Sequence, residues 1–362
     1  MDSPIDAAPL PEVRNHTRFP AQYFQMIAPD DKLFHVLVCR MTFDLNRLGR
    51  ENMPALSDEQ PPLIDADRFY GEPNVSSIEE ESDFAPFKPK CDVLVTHATA
   101  HAPKGRAEKR WPIGIRVGEW SKTLAVTGPR RMNKNKQAWR VDEPQAASET
   151  LLRYEWAFGG TRRWPLEVGE DQEPELLLRY DANPIGAGYA PSQWCKASNA
   201  DKIDAPRIEL LDKPFDAAAA TAQDYPVAGF GTIGRWWSPR VARAGTYDSQ
   251  WKKERWPCLP RDFDFAYWNG APLDQQIAWP KGGEPVVLTG LMPGGGQFHA
   301  SVPGNAPFTL IRLRAGPIML RPMRLDTLVF NLRAMTLACV YRMTVAAKAD
   351  VRVLELRRQK EA

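Results

Sequence analysis

Four carboxylates, Asp248, Asp262, Asp264 and Asp274, fall within one aromatic-rich stretch of the chain. Paired carboxylates can hydrolyse a glycosidic bond, one as acid and one as nucleophile or base. Neighbouring Trp and Tyr rings would suit a sugar. The same residue type also holds irregular loops, because Asp accepts hydrogen bonds from nearby backbone N–H groups. Asp262-Phe-Asp264 reads as a loop, so Asp262 and Asp264 are expected to hold it in place. Asp264→Ala should then cost about 1–3 kcal/mol, the cost of leaving buried donors unpaired. No EF-hand spacing accompanies these residues, and no G-x-S-x-G elbow is present. His97 and His101 are spaced i, i+4, which gathers a zinc ion only on a helix. Their run reads as a strand, where the two positions lie about 13 Å apart, so no metal is expected.

Gly229-Phe-Gly231-Thr-Ile-Gly234 spells G-x-G-x-x-G. A dinucleotide turn needs a buried strand before the first glycine and a helix from the last. Pro226 spoils the strand and Pro239 the helix. No nicotinamide, flavin or other cofactor is therefore expected. Met292-Pro-Gly-Gly-Gly-Gln297 lacks the G-K-[ST] that holds a nucleotide phosphate, and reads as a tight turn. Arg130, Arg131, Lys134, Lys136 and Arg140 form a basic run around Trp139, a ring that could stack on a base. Yet 47 basic residues face 45 acidic ones, a formal net charge of +2. That balance argues against a nucleic-acid partner. The run reads instead as a solvated hairpin end or a rim for an acidic protein.

The elements that must position these residues are mostly strands. The chain has 33 prolines and 12 tryptophans, and an interior helical proline costs about 3 kcal/mol. Strand patterns occupy residues 32–43, 91–99, 113–117, 122–126, 150–156, 284–291, 308–314, 325–331 and 336–345. One helix is expected from Tyr247 to Arg255, capped by Thr246 or Asp248. Strand and long helix do not alternate, which disfavours a parallel α/β sheet. The expected fold is mainly β, with antiparallel sandwich-like sheets, long Pro/Gly/aromatic loops and few short helices. Residues 1–20 read as a flexible tail. Residues 21–345 read as one domain, its strand-rich ends (21–160 and 284–345) flanking an irregular middle, 161–283. Residues 346–362 read as a charged tail. The five cysteines are scattered, which suits reduced thiols. No signal-peptide pattern and no apolar run of about 18 residues is present, so a cytoplasmic protein without a membrane partner is expected.

Six motifs in order carry a resemblance. They are Leu152-Arg-Tyr-Glu155-Trp-Ala-Phe-Gly159-Gly160-Thr161, Asn183-Pro-Ile-Gly186-Ala-Gly-Tyr189, the Gly229–Gly231 loop running on to Asp248, Leu259-Pro-Arg-Asp262-Phe-Asp264, Asn269-Gly-Ala-Pro-Leu-Asp274-Gln275, and Asp326-Thr-Leu-Val-Phe330. Over about residues 20 to 345 the chain resembles a family of bacterial type VI secretion effector adaptors, catalogued as a domain of unknown function. Val340-Tyr-Arg342 stands where that family has a W-R pairing. The resemblance implies a cytoplasmic, non-enzymatic chaperone. Its partners would be a PAAR-type tip protein, a secreted effector and the trimeric spike protein. It brings no catalytic residues. Protein interfaces favour Trp, Tyr and Arg anchors, which makes Trp236, Trp237, Arg240, Tyr247 and Trp251 the candidate partner-binding residues. The alternative is a carbohydrate-active enzyme or carbohydrate-binding domain using the loop carboxylates and aromatics.

Overall fold

The structure is a computed structural model that describes residues 10–135, 138–165, 175–197, 200–347 and 350–358. Its three main sheets use β1 (Glu12–Asn15), β2 (Ala21–Ile27), β3 (Leu33–Leu48), β4 (Cys91–Thr96), β5 (Arg110–Val117), β6 (Trp120–Thr127), β7 (Ile208–Leu210), β8 (Gln276–Ile277), β9 (Pro285–Thr289), β10 (Gln297–Ser301), β11 (Phe308–Leu313), β12 (Ile318–Pro322), β13 (Arg324–Asn331), β14 (Thr336–Ala346) and β15 (Val351–Arg357). The largest sheet runs β2-β3-β14-β13-β4-β8, and Pro54–Leu56 also pairs with β3. A five-stranded sheet runs β7-β6-β5-β9-β10, and a four-stranded one runs β1-β15-β11-β12. Within these sheets the pairings are antiparallel except β4 on β13 and β1 on β15. The fold is mainly β with few short helices, as the sequence indicates.

Alternation along the strands explains the main core. Leu37, Cys39, Met41 and Phe43 of β3 point to one face, beside Leu337, Cys339, Tyr341 and Met343 of β14. They meet Ile113 and Ile115 of β5, Leu124 and Val126 of β6, and Leu354 and Leu356 of β15. Each fully buried side chain of this kind stabilises by about 1.5–3 kcal/mol. The other face of the largest sheet carries Arg40, Thr42, Asp92, Thr96 and Arg342, yet all five are buried. An antiparallel sheet commonly leaves its polar face to water. Here the loops around residues 57–90 and 230–275 cover it and supply partners, such as Gln60 for Thr42 and Asn269 for Asp92.

Three expectations change. Residues 150–156 are not one strand: Glu149–Leu151 is extended, and Tyr154–Trp156 is a 3-10 turn. Ser77 holds the turn in place: Glu155 accepts from its N–H (2.9 Å) and hydroxyl, and Tyr154 N–H donates to that hydroxyl (3.0 Å). The C-terminal segment is not a tail. β15 lies second in its sheet, with Val351, Val353, Leu354, Glu355 and Leu356 buried. Interspersed charges disguise it in the sequence; Glu355 is neutralised by Arg312 and Arg357. These two guanidiniums hold its carboxyl down to about 2. The expected N-terminal tail is likewise shorter, since β1 pairs with β15 from Glu12 on, and residues 1–9 lie outside the described residues.

The middle of the chain builds a second core. Phe158 sits among Tyr180, Tyr225, Phe215 and Tyr189, at ring-centre distances of 4.8, 4.9, 5.6 and 6.3 Å. Arg131–Asn135 pairs with Ala138–Val141 and with Lys202–Asp204 beside it. Helices are short: α1 (Ser192–Ala197), α2 (Ser238–Val241) and α3 (Ser249–Glu254). Asp248 caps α3 by accepting from Trp251 N–H at 2.8 Å, as its sequence position suggests.

Candidate functional site

The motif residues turn out to hold one another. Phe158–Gly159 pairs in parallel with Ala187–Gly188, so the first two motifs form one joint. Asn183 is fully buried there, and its amide donates to Tyr154 O (2.9 Å) and Phe158 O (3.0 Å). Its backbone carbonyl accepts from Gly160 N–H (2.8 Å) and Gly186 N–H (3.4 Å). The Gly229–Gly234 loop lies against β4, where Phe230 O accepts from Val95 N–H at 3.0 Å. A Cβ on Gly229 would stand 2.4 Å from the Tyr154 ring, whose hydroxyl donates to Gly231 O (2.9 Å). The glycines therefore let backbone meet an aromatic ring. The next helix, α2, has four residues and follows a Trp. This loop lacks the strand-to-helix geometry of a dinucleotide turn.

Beneath the covering loops runs a chain of buried charges. Glu81 meets Arg240 at 2.6 Å, Arg235 at 3.4 Å and Lys88 at 3.5 Å. Lys88 also reaches Asp92 (2.8 Å), which accepts from Asn269 and from Gly270 N–H at 2.9 Å each. Arg342 pairs with Asp326 at 2.7 Å, and Arg40 with Glu80 (2.9 Å) and Asp83 (3.2 Å). Burial alone would raise the Glu81 carboxyl, but Arg240, Lys88 and Arg235 outweigh it and hold it at about 2. Burial lowers the Lys122 ammonium, against the opposing pull of Asp274 at 2.9 Å. Buried ion pairs fix geometry more than they add stability.

The candidate partner residues separate. Trp237 and Arg240 are buried, which removes them as surface anchors. Trp237 packs edge-on against Tyr154, and Arg240 donates to Tyr267 O besides pairing with Glu81. Trp236 is half-buried under Arg179. Tyr247 is exposed and meets the half-buried Trp251 ring at 4.7 Å. Trp256 is 68% exposed, and sequence reasoning passed over it.

Asp262 accepts from Thr246 N–H (3.0 Å) and its hydroxyl (2.7 Å). Asp264 accepts from Ala266 N–H (2.8 Å) and pairs with Arg243 (2.6 Å). Both carboxylates hold the loop, but both are exposed. Asp264→Ala should therefore cost only about 0.5–1 kcal/mol, the value of an exposed cap and ion pair. Urea denaturation measures it. Hydrolysis of a glycan that disappears in this variant at an unchanged melting temperature would restore the hydrolase reading.

His97 pairs with Glu79 at 2.5 Å and His101 with Glu149 at 3.2 Å, so the two imidazoles serve different carboxylates. The basic run is a hairpin, with Lys136 outside the described residues. Trp139 is buried and stacked on Trp194, which removes it as a platform for bases. Arg130 is also buried, against Glu209 at 2.5 Å.

A cavity of about 710 Å³ opens at the end of the largest sheet. Phe34, Phe87, Phe263, Phe265, Trp279 and Met343 form its apolar wall. Phe87 makes edge contacts with Phe265 (5.6 Å) and Trp279 (6.3 Å). Its charged lining has four cations, Lys88, Arg321, Arg324 and Arg342, against Asp30 and Asp326. Lys88 and Arg342 are committed to the buried network. Arg321 and Arg324 are exposed, and neither has a carboxylate partner among the described residues. The Arg324 guanidinium lies 4.4 Å from the centre of the Trp279 ring. Helix α3 is tied beside the rim, because Arg255 donates to Pro29 O and Asp31. Sequence reasoning missed this site. The available signal was the stretch from Arg312 to Arg324, four arginines with no acid between them.

No helix among the described residues is long and apolar enough to cross a membrane. No curated protein and no solved structure matches the chain. A family match does cover residues 30–342, which takes in the buried charge chain, the paired motifs and most of the cavity wall. The chain therefore belongs to DUF2169, the family described as uncharacterized protein conserved in bacteria.

Proposed function

We propose that this chain is a non-enzymatic adaptor or chaperone. It binds a type VI secretion effector, a PAAR-type tip protein, or both, and helps load them onto the spike. The observation that carries the reading is an asymmetry. The motif residues are consumed in internal contacts, whereas the aromatic recess and its two unpaired arginines are left open. A rigid scaffold with an apolar recess and a charged rim suits protein binding. The hydrolase alternative finds its carboxylates occupied: Asp248 caps α3, Asp262 holds Thr246, Asp264 pairs with Arg243, and Asp274 with Lys122.

Co-expression with a PAAR-type tip and its effector should give a stoichiometric complex on size-exclusion chromatography, burying at least ~1,000 Å². Apolar contacts dominate such a complex, so moving from 50 to 200 mM salt weakens it by no more than ~10-fold. A nucleic-acid complex would lose orders of magnitude over the same range as counterions return to the phosphates. Elution alone at both salt concentrations, with effector levels and secretion intact after gene deletion, would sink the reading.

A further inference from the structure

Resting on the adaptor reading, we propose that the recess beside Trp279 is where the partner is held. Its occupant is an extended segment of the partner protein that carries a bulky apolar side chain and, within a few residues, an Asp or Glu. The apolar side chain enters between Phe34, Phe87, Phe265 and Trp279, and the carboxylate pairs with Arg321 and Arg324.

Three observations converge on this occupant. The first is charge. Arg321 and Arg324 stand exposed at the mouth of the recess with no carboxylate partner among the described residues, and a guanidinium fork matches a carboxylate in geometry. The second is shape. A wall of five aromatic rings around about 710 Å³ is larger than one side chain needs and suits an aromatic or branched anchor with its backbone.

The third is the strand that leads into the recess. Among the described residues β12 is the outer strand of its sheet, paired only with β11, and its end at Arg321–Pro322 lines the recess. Met323 N–H donates to Pro307 O, back toward β11. Backbone groups alternate along a strand, so those of Ile318 and Leu320 point outward, along the open edge. The side chains of Ile318 and Leu320 are 55% and 59% exposed. Edge strands are normally blunted by charge, proline or cover. Here Pro322 blunts the end beside the recess, and two residues of ladder stay unpaired among the described residues. An extended peptide can add to that ladder and turn its anchor inward at Pro322, the mode in which backbone pairing gives affinity and a pocket gives specificity.

The test uses the full chain co-expressed with the PAAR-type tip and the effector, in wild-type form and as R321E/R324E. Both arginines are exposed, so the charge reversal should leave the fold intact, and thermal melting checks this. The expected result is a complex weakened at least tenfold by R321E/R324E. Trp279→Ala should weaken it about thirty-fold or more, as removal of a buried aromatic anchor does. Hydrogen exchange at Ile318 and Leu320 should slow in the wild-type complex. A complex that forms equally well with R321E/R324E, with no protection of β12, overturns the recess proposal and leaves the adaptor reading standing. A free small carboxylate found in the purified protein by native mass spectrometry and lost in R321E/R324E, with the complex unaffected, also overturns it, in favour of a small-molecule site. No complex with the wild-type chain removes the adaptor reading and this inference together.

Discussion

Glu81→Ala is expected to lower the unfolding free energy by about 3–5 kcal/mol, the usual cost of removing one partner from a buried ion pair. Lys88 would keep Asp92 and Arg235 would keep Asp67. Arg240, almost wholly buried, would keep no carboxylate. Its charge would then face the underside of the covering loops uncompensated. The double variant Glu81→Leu/Arg240→Met should recover most of the loss, because apolar replacement of a buried pair is often neutral or stabilising. The pH dependence carries the same signature. The Glu81 carboxyl sits at about 2 in the folded protein and near 4.5 when unfolded. A lowered folded value stabilises above the unfolded one, and that stability is lost as pH falls from about 4.5 through about 2. Urea titrations at pH 7 and pH 3.5 should therefore show a smaller drop for Glu81→Ala than for wild type. Equal drops, or a single variant as stable as wild type, would remove the network from the account of how the loops are held.

Gly159→Ala should be comparably damaging for a different reason. Gly159 has φ of +145°, and a Cβ there would lie 2.1 Å from Asn183 O. That carbonyl cannot retreat freely, because it accepts from Gly160 N–H at 2.8 Å. Backbone strain of about 1–3 kcal/mol adds to overpacking of similar size, for a total of about 2–6 kcal/mol. Gly283→Ala separates the two effects. Gly283 also has positive φ (+88°), but its added Cβ would meet nothing within 4 Å. It should show the strain alone, about 1–3 kcal/mol. Thermal melts of the two variants, run side by side, decide the matter. Equal losses would mean that crowding at Asn183 does not matter.

What the sequence disclosed follows from what alternation can report. β3, β14 and the β5–β6 hairpin were legible because their apolar faces repeat every second residue. β15 was not, because Arg352, Glu355 and Arg357 interrupt the pattern, and pairing of Glu355 with Arg312 cannot be read from spacing. The second core was read as an irregular middle for a related reason. It is built from single aromatics such as Phe158, Tyr180 and Tyr225, which converge from distant loops without any period. Trp and Arg were credited as surface anchors by residue type, and two of the five, Trp237 and Arg240, are instead interior braces. The recess escaped notice because its wall draws on six separate segments, from Met26 to Ala346.

The order of strands in the largest sheet has a consequence for biosynthesis. β13 and β14, residues 324–346, lie between β3 and β4, residues 33–48 and 91–96. A nascent chain emerges from its N-terminus, so β3 and β4 leave the ribosome well before the strands that separate them. β4 has no neighbour on one side and β3 lacks its longest one until residues 324–346 have been translated. The central sheet is closed by the last-made of its own strands, well after its first ones have emerged. A message cut short before codon 324 yields a product with two open inner edges, the kind of surface that draws chains into aggregates.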